Sequence, residues 1–323
     1  MYNAITDVNT QTNHPVRVLD TRPGSGQQGA GETFGPDSTL NFSPGTGTFP
    51  YNTPAVPADA TAVVLNVTAA TSTADSFLTV WATGGSQPLA SNLNFTAGNV
   101  VPNRVIVPTN PVTKQVSIYN FAGDTDVVVD LDGYYSPDRG GSLYYPLVMP
   151  TRIVHTRPGS GVAYSGQTLG TGTILTTNVP ADNFLPDTGY SAPGGTFDPN
   201  GTFTGVTVTV TVADTTGDGG YLTVYPANAG GTPPLASDLN WNAGDIVSNA
   251  DHLSAGPSAP SAALNNFNFT GSADLVIDLY GYFGTSFSGI FSLPGGPGPG
   301  LRPPIGMSLH PGAWNDRVGD SGR

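Results

Sequence analysis

The chain has 323 residues, a formal net charge of −13 and no cysteine. Its length suits about two domains, and the absence of cysteine excludes disulfides and thiolate metal sites. Because so negative a protein repels phosphate backbones, we expect no nucleic-acid partner.

The N-terminal segment, 1–15, lacks the basic start and apolar run of a secretory signal peptide. This favours a protein that does not use the secretory route. No later stretch is long and apolar enough to suggest a membrane span, so we expect no membrane partner.

A tandem duplication follows this segment. VRVLDTRPGSG (16–26) returns as TRIVHTRPGSG (151–161), and three further phrases return in the same order. They are FLTVWA and YLTVYP, PLASNLNFTAGNVVPN and PLASDLNWNAGDIVSN, and DVVVDLDGYY and DLVIDLYGYF. We therefore divide the chain into an N-terminal segment (1–15), a first repeat (16–138), a second repeat (139–283) and a C-terminal arm (284–323).

Each repeat is predicted to be all-β. The chain has 43 Gly and 30 Pro, a single Glu and a single Lys, and many Val and Thr, which favour short strands joined by turns. GVTVTVTVA (205–213) alternates strictly, and Val127, Val129 and Leu131 are expected to share one face of another strand. Such spacing predicts two antiparallel, jelly-roll-like β-sandwiches, although the strand order cannot be read from the sequence.

The C-terminal arm is rich in Pro and Gly, with scattered apolar residues. We interpret it as a docking arm that becomes ordered on a neighbouring surface. Its candidate contact residues are Leu301, Ile305, Met307, Leu309 and Trp314.

Arg22 and Arg157 occupy the same place in the two repeats. They could clamp an anion, but a structural role is favoured, because a catalytic residue seldom needs a copy in every module. We predict that they pair with Asp130 and Asp278, the repeated aspartates of the last strands, and so pin each Pro-Gly-Ser-Gly turn to its sheet.

Evidence for a metal or an active site is weak. Asp124, Asp126, Asp130 and Asp132 could hold Ca²⁺, but the second repeat loses two of these carboxylates, so no cofactor is expected. GSGQQG (24–29) has the spacing of a dinucleotide fingerprint but precedes no helix. The four histidines are scattered, and no nucleophile motif occurs. We expect a protein that is not an enzyme.

Four aromatic residues recur at matched places: Trp81 with Tyr225, and Phe95 with Trp241. Aromatic rings of this kind can stack on sugars, but within strands they more often belong to a core. An exposed, planar row would favour a carbohydrate-binding module, and burial would argue against it.

Five phrases of the first repeat, in order, closely resemble a module common in actinobacterial envelope and secreted proteins and in virion proteins of the phages that infect those bacteria. They are VRVLDTRPG, VPADATAVVLNVTA, FLTVWATG, PLASNLNFTAGNVVPN and VSIYNFAGDTDVVVDLDGYY. The resemblance covers most of 16–135 and, more loosely, 151–283. It implies an appended, non-catalytic part.

The residues and the resemblance together predict a structural protein on the surface of an actinobacteriophage virion, most simply a capsid decoration or accessory protein. Its expected partners are the major capsid protein or another virion protein, further copies of itself, and a surface glycan. The alternatives are a tail or fibre component, or a pair of carbohydrate-binding modules at the surface of an actinobacterium or outside its cell.

Overall fold

The computed structural model describes residues 1–5, 15–32, 34–45, 56–137, 141–179, 203–227, 232–254 and 262–284. The predicted docking residues Leu301, Ile305, Met307, Leu309 and Trp314 lie outside these ranges. Within them, no helix is both long and apolar enough to traverse a bilayer.

The first module consists of strands β1 (Tyr2–Ala4), β2 (Val16–Asp20), β3 (Ser38–Phe42), β4 (Ala62–Ala70), β5 (Ser76–Ala82), β6 (Leu93–Phe95), β7 (Val101–Pro108), β8 (Val116–Asn120) and β9 (Asp126–Tyr135). The second consists of β10 (Leu143–His155), β11 (Thr173–Val179), β12 (Phe203–Ala213), β13 (Gly220–Pro226), β14 (Leu239–Trp241), β15 (Val247–Ser254), β16 (Ala262–Asn268) and β17 (Asp274–Gly284).

The strand order of both modules is that of a jelly roll. In the first, β2 pairs with β9 in a sheet that continues β9-β4-β7, and the other sheet runs β3-β8-β5-β6. In the second, the sheets run β10-β17-β12-β15 and β11-β16-β13-β14. Counted within each module the two orders coincide, and the pairings are antiparallel, as in eight-stranded double-sheet jelly rolls. The predicted tandem antiparallel sandwiches are confirmed.

Each module buries its own core between its two sheets. Val127, Val129 and Leu131 project into the first core, as their alternation predicted. The alternating valines of β12 lie in the second core. Each such side chain contributes about 1.5–3 kcal/mol when fully buried, so both modules have a substantial core of their own.

The first module begins earlier than the sequence suggested. Although 1–15 was expected to precede the module, Tyr2–Ala4 forms β1, which pairs with the end of β9 through Tyr2↔Tyr135. In the second module β10 is long enough to make the equivalent contact, Tyr144↔Phe283, and the β2-like contact as well. Thus β1 and β2 together correspond to β10.

Gly133 makes the position of β1 possible. A Cβ atom at Gly133 would lie 2.5 Å from Tyr2 Cε2 and 2.6 Å from the Asn3 carbonyl oxygen. Any side chain there would therefore displace β1 from the sheet.

Candidate functional sites

Arg22 and Arg157 each pair with an aspartate, but with different aspartates from those predicted. Arg22 binds Asp20 of its own corner, with Nε–Oδ1 2.9 Å and Nη2–Oδ2 2.6 Å. Arg157 instead reaches Asp214, Nε–Oδ2 2.5 Å. The predicted pairs Arg22–Asp130 and Arg157–Asp278 are therefore wrong.

A second pair of arginines holds the repeated aspartates. Arg17 stands opposite Asp130 in the β2–β9 register and binds it through Nε (3.0 Å) and Nη2 (3.2 Å). Arg152 stands opposite Asp278 and binds it at 2.8 and 2.9 Å. The Cβ atoms of cross-strand neighbours lie about 4.5–5.5 Å apart. Arg17 and Arg152 therefore reach Asp130 and Asp278 directly from the neighbouring strand.

The four aspartates proposed for Ca²⁺ do not converge. Asp126 accepts hydrogen bonds from the hydroxyls of two threonines, Asp130 binds Arg17, and Asp132 binds Arg104. Asp124 contacts the β4–β5 turn through its backbone. Among the described residues no group of three or more His, Cys, Asp or Glu could hold a metal ion.

A shallow pocket of about 200 Å³ lies beside the first arginine corner. Its polar lining consists of three threonines and three acidic residues: Thr21, Thr71, Thr125, Glu32, Asp124 and Asp126. Thr21 and Asp126 are already hydrogen-bonded to each other. The described lining offers carboxylates and hydroxyls but no histidine or lysine to act as their acid–base partner.

A buried ionic cluster lies between the modules. Arg104 projects from β7 of the first module, and its side chain is only 2% exposed. It contacts Asp132 of its own module, and Asp238 (Nη2–Oδ1 3.3 Å) and Asp251 of the second module. Its Nε also donates to the Ala250 carbonyl at 3.2 Å. One guanidinium therefore ties three strands of two modules together.

Two asparagines extend this cluster. Asn66 of β4 donates to the Ser237 carbonyl (2.6 Å) and accepts from Asn249 Nδ2 (2.9 Å). Asn249 Oδ1 accepts from the Arg104 backbone N–H at 2.9 Å. Both asparagines are buried, and buried amides of this kind stabilise a contact only when they are paired, as they are here.

The charges of the cluster do not balance, because one arginine faces three carboxylates. Burial raises the pKa of Asp132 to about 7, against the attraction of Arg104. Burial likewise raises the pKa of Asp238 and of Asp251, again opposed by Arg104. Desolvation of unneutralised carboxylates favours their protonated form, so the cluster binds protons more tightly than free aspartates do.

An apolar contact flanks the polar cluster. Tyr2 and Val64 of the first module pack with Phe283 of the second, and all three are buried. The ring centroids of Tyr2 and Phe283 are 4.5 Å apart. His252 packs against both rings, and burial lowers its pKa to about 4. The modules therefore meet through an apolar patch beside a buried ionic centre.

Three of the four recurrent aromatics belong to the interior. Phe95, Tyr225 and Trp241 are buried. Trp81 is half-buried on the outer side of β5, and its Nε1 donates to the Gly85 carbonyl. The planar, exposed row that would mark these four residues as a sugar platform is not formed.

Two other aromatic pairs lie on the surface. Phe77 stacks on Phe121 with centroids 4.9 Å apart, and Tyr221 stacks on Phe269 at 4.5 Å. Phe121 and Phe269 are each about half exposed. The pairs occupy equivalent places in the two modules and were not singled out from the sequence.

The inter-module cluster was not predicted either, because a comparison of the repeats identifies only the residues that both copies share. Arg104 is replaced by Ala250 in the second copy. One signal was present: AVVLNVTAA of β4 does not alternate, whereas β12 does. A strand without alternation is buried on both faces, and here the second module covers the outer face.

No protein-family model and no curated protein matches the chain. Among solved structures, the N-terminal CBM22-1–CBM22-2 tandem domain of Paenibacillus barcinonensis Xyn10C is 10% identical, with 69% of this chain and 79% of that one covered at a TM-score of 0.20. The structure of Sulfolobus Turreted Icosahedral Virus is 9% identical, with 76% and 56% covered at a TM-score of 0.19. Likenesses of this size assign no role to the chain.

Proposed function

We propose that the chain is a non-enzymatic structural protein on the exterior of an actinobacteriophage virion, acting as a capsid decoration or accessory protein. The resemblance of its repeat phrases to modules of such virions motivates the proposal. A tail or fibre position is the nearest alternative, because nothing in the modules specifies the symmetry of the mounting site.

The observation that carries this proposal is the use made of the buried charges. In the described part of the chain, Arg17, Asp130 and the Arg104 cluster all serve contacts within or between the modules. Because these buried charged side chains stabilise the modules and their contact, they support a protein that works through its surface.

In this proposal the C-terminal arm supplies part of the attachment. Removing 285–323 leaves every described strand intact, because the last of them, β17, ends at Gly284. We expect such a truncated chain to fold and to be lost from the particle. Full retention would contradict the docking role of Leu301, Ile305, Met307, Leu309 and Trp314.

The proposed function is tested by quantitative mass spectrometry of gradient-purified virions from the culture that produces the chain. We expect its peptides at a constant ratio to the major capsid protein through successive gradients. Its absence from particles, together with its recovery in the cell-envelope or secreted fraction, would contradict the virion assignment.

The paired aromatics favour one second candidate, glycan binding. Exposed ring faces stack on sugars, and Phe121 and Phe269 are exposed at equivalent positions. Affinity electrophoresis in gels that contain cell-wall polysaccharide would show retardation, which Phe121→Ala and Phe269→Ala should each reduce. Retardation that is absent, or unchanged in both variants, would contradict this candidate.

A further inference from the structure

The contact between the modules joins two different surfaces. The first module contributes the outer face of its β2-β9-β4-β7 sheet, here called the covered face and represented by Asn66, Arg104 and Asp132. The second contributes the bound edge, made of 234–238 and the adjoining part of β15. Because the chain is a tandem repeat, each surface has a counterpart in the other module.

The counterpart of the covered face is the free face of the second module. In the first module Arg17, Asp130, Asn66 and Arg104 form one cross-strand row. The row with the same register in the second module is Arg152, Asp278, Thr209 and Ala250. Thr209 and Ala250 therefore correspond to Asn66 and Arg104.

The chain position of Asp132 in β9 also has a counterpart on the free face. DVVVDLDGYY aligns with DLVIDLYGYF without a gap, which places Tyr280 at the position of Asp132. The free face therefore consists of Thr209, Ala250 and Tyr280.

The counterpart of the loop 234–238 in the bound edge is the loop 88–92 of the first module, here called the free edge; the neighbouring part of β7 already contacts the second module through Arg104. Asn92 accepts from the Val80 N–H (2.8 Å) just as Asp238 accepts from the Val224 N–H (2.6 Å). Asn92 N–H also donates to Leu78, as Asp238 N–H does to Leu222, both at 2.8 Å. The two edges thus share one backbone conformation.

The two copies differ in exposure as a covered and an uncovered surface should. On the edges, Ala236 is buried but Ala90 is exposed, although the local sequence PLAS is identical. On the faces, Arg104 and Asp132 are buried, whereas Ala250 and Tyr280 are exposed. The free edge and the free face are the same two shapes that already fit together inside the chain.

The substitutions between the copies are matched across the contact. Where the free face has Ala250 instead of arginine, the free edge has Asn92 in place of Asp238, and the first module has the core residue Val105 in place of Asp251. The absence of the arginine on one side is thus matched by the absence of both aspartates on the other. A contact between free edge and free face would therefore bury no unpaired charge.

We propose that the free edge of one copy docks on the free face of a second copy, in the arrangement already used between the two modules. Such a contact is heterologous, so it joins copies head to tail into a ring or an open assembly. The strong net charge does not oppose it locally, because residues 76–103, which include the free edge, contain no charged side chain. This inference concerns the protein alone and does not depend on a virion.

The full-length chain tests the proposal by sedimentation velocity and light scattering over a range of concentrations. We expect species larger than the monomer to grow with concentration. Ala250→Arg places an unpaired arginine in the contact and should weaken association about tenfold or more. Asn92→Asp, which copies the residue found in the bound edge, should also weaken it. The double variant Ala250→Arg/Asn92→Asp should recover at least part of the loss by pairing the two charges.

Ile174→Arg is the matched control, since Ile174 is an exposed apolar residue of the second module on the opposite sheet. It should leave association unchanged, and circular dichroism should show native folding of all variants. A chain that stays monomeric at every concentration overturns the proposal. So does association that responds to Ala250→Arg but not to Asn92→Asp, because a different segment, such as 285–323, would then occupy the free face.

Discussion

Replacing Arg104 by alanine should weaken the contact between the two modules and lower the free energy of unfolding. The substitution leaves Asp132, Asp238 and Asp251 buried without their counter-charge, and it removes the donor to the Ala250 carbonyl. Breaking a buried ion pair by removing one partner costs about 3–5 kcal/mol. We expect a loss of this size in the free energy of unfolding, and a decrease in Tm of about 6 °C or more.

Arg152→Ala is the matched control, because it removes an arginine from an aspartate on the surface. The Arg152 side chain is 46% exposed, against 2% for Arg104. Exposed pairs contribute about 0.2–1 kcal/mol, so this variant should lose little stability. Arg104→Lys, which keeps the charge but not the branched fork, should fall between the two.

Differential scanning calorimetry and urea unfolding of the three variants provide the assay. In Arg104→Ala we also expect a second, separate transition, because each module retains its own core. The reasoning is refuted if Arg104→Ala and Arg152→Ala lose equal stability. It would then follow that the buried cluster does not hold the modules together.

Two further predictions concern proton binding and the N-terminal strand. Because the pKa of Asp132 is raised when folded, its contribution to stability is fully present below its unfolded pKa and is lost as the pH rises towards about 7. His252, whose pKa is lowered to about 4, has the opposite effect: it reduces stability as the pH falls below 6.5, the ordinary pKa of histidine. The free energy of unfolding, measured from pH 5 to pH 8, should therefore decline mainly towards the upper end of this range. A steady rise would contradict this prediction. Gly133→Ala should displace Tyr2 and cost about 1–3 kcal/mol, whereas Gly170→Ala, whose Cβ would meet nothing closer than 3.7 Å, should unfold like the wild type.

Much of the fold follows from local pattern in the sequence. The duplication, the strands and the inward faces of β9 and β12 are visible because a half-buried strand repeats every second residue. The strand order is not, since pairing between distant strands leaves no local trace. The start of the first module was misplaced because a long insertion separates β1 from β2, whereas the corresponding β10 is continuous.

The arginine pairings show a different limit. Arg17 and Arg152 recur just as Arg22 and Arg157 do, and the sequence alone gives no register with which to choose between them. Once Arg17 is known to face Asp130 across the sheet, the choice follows from distance. The Arg104 cluster was not predicted for the opposite reason: the second copy has no arginine at this position, and the partners of Arg104 in the second module, Asp238 and Asp251, are 134 and 147 residues away.

The most direct test of the central claim is a cryo-electron microscopy reconstruction of the intact particle from the source culture. The account predicts density on its exterior that accommodates both jelly rolls in the arrangement set by Arg104, with the modules projecting from the shell or tail. A particle whose outer density is fully explained by other proteins, with no place for a pair of jelly rolls, would contradict it.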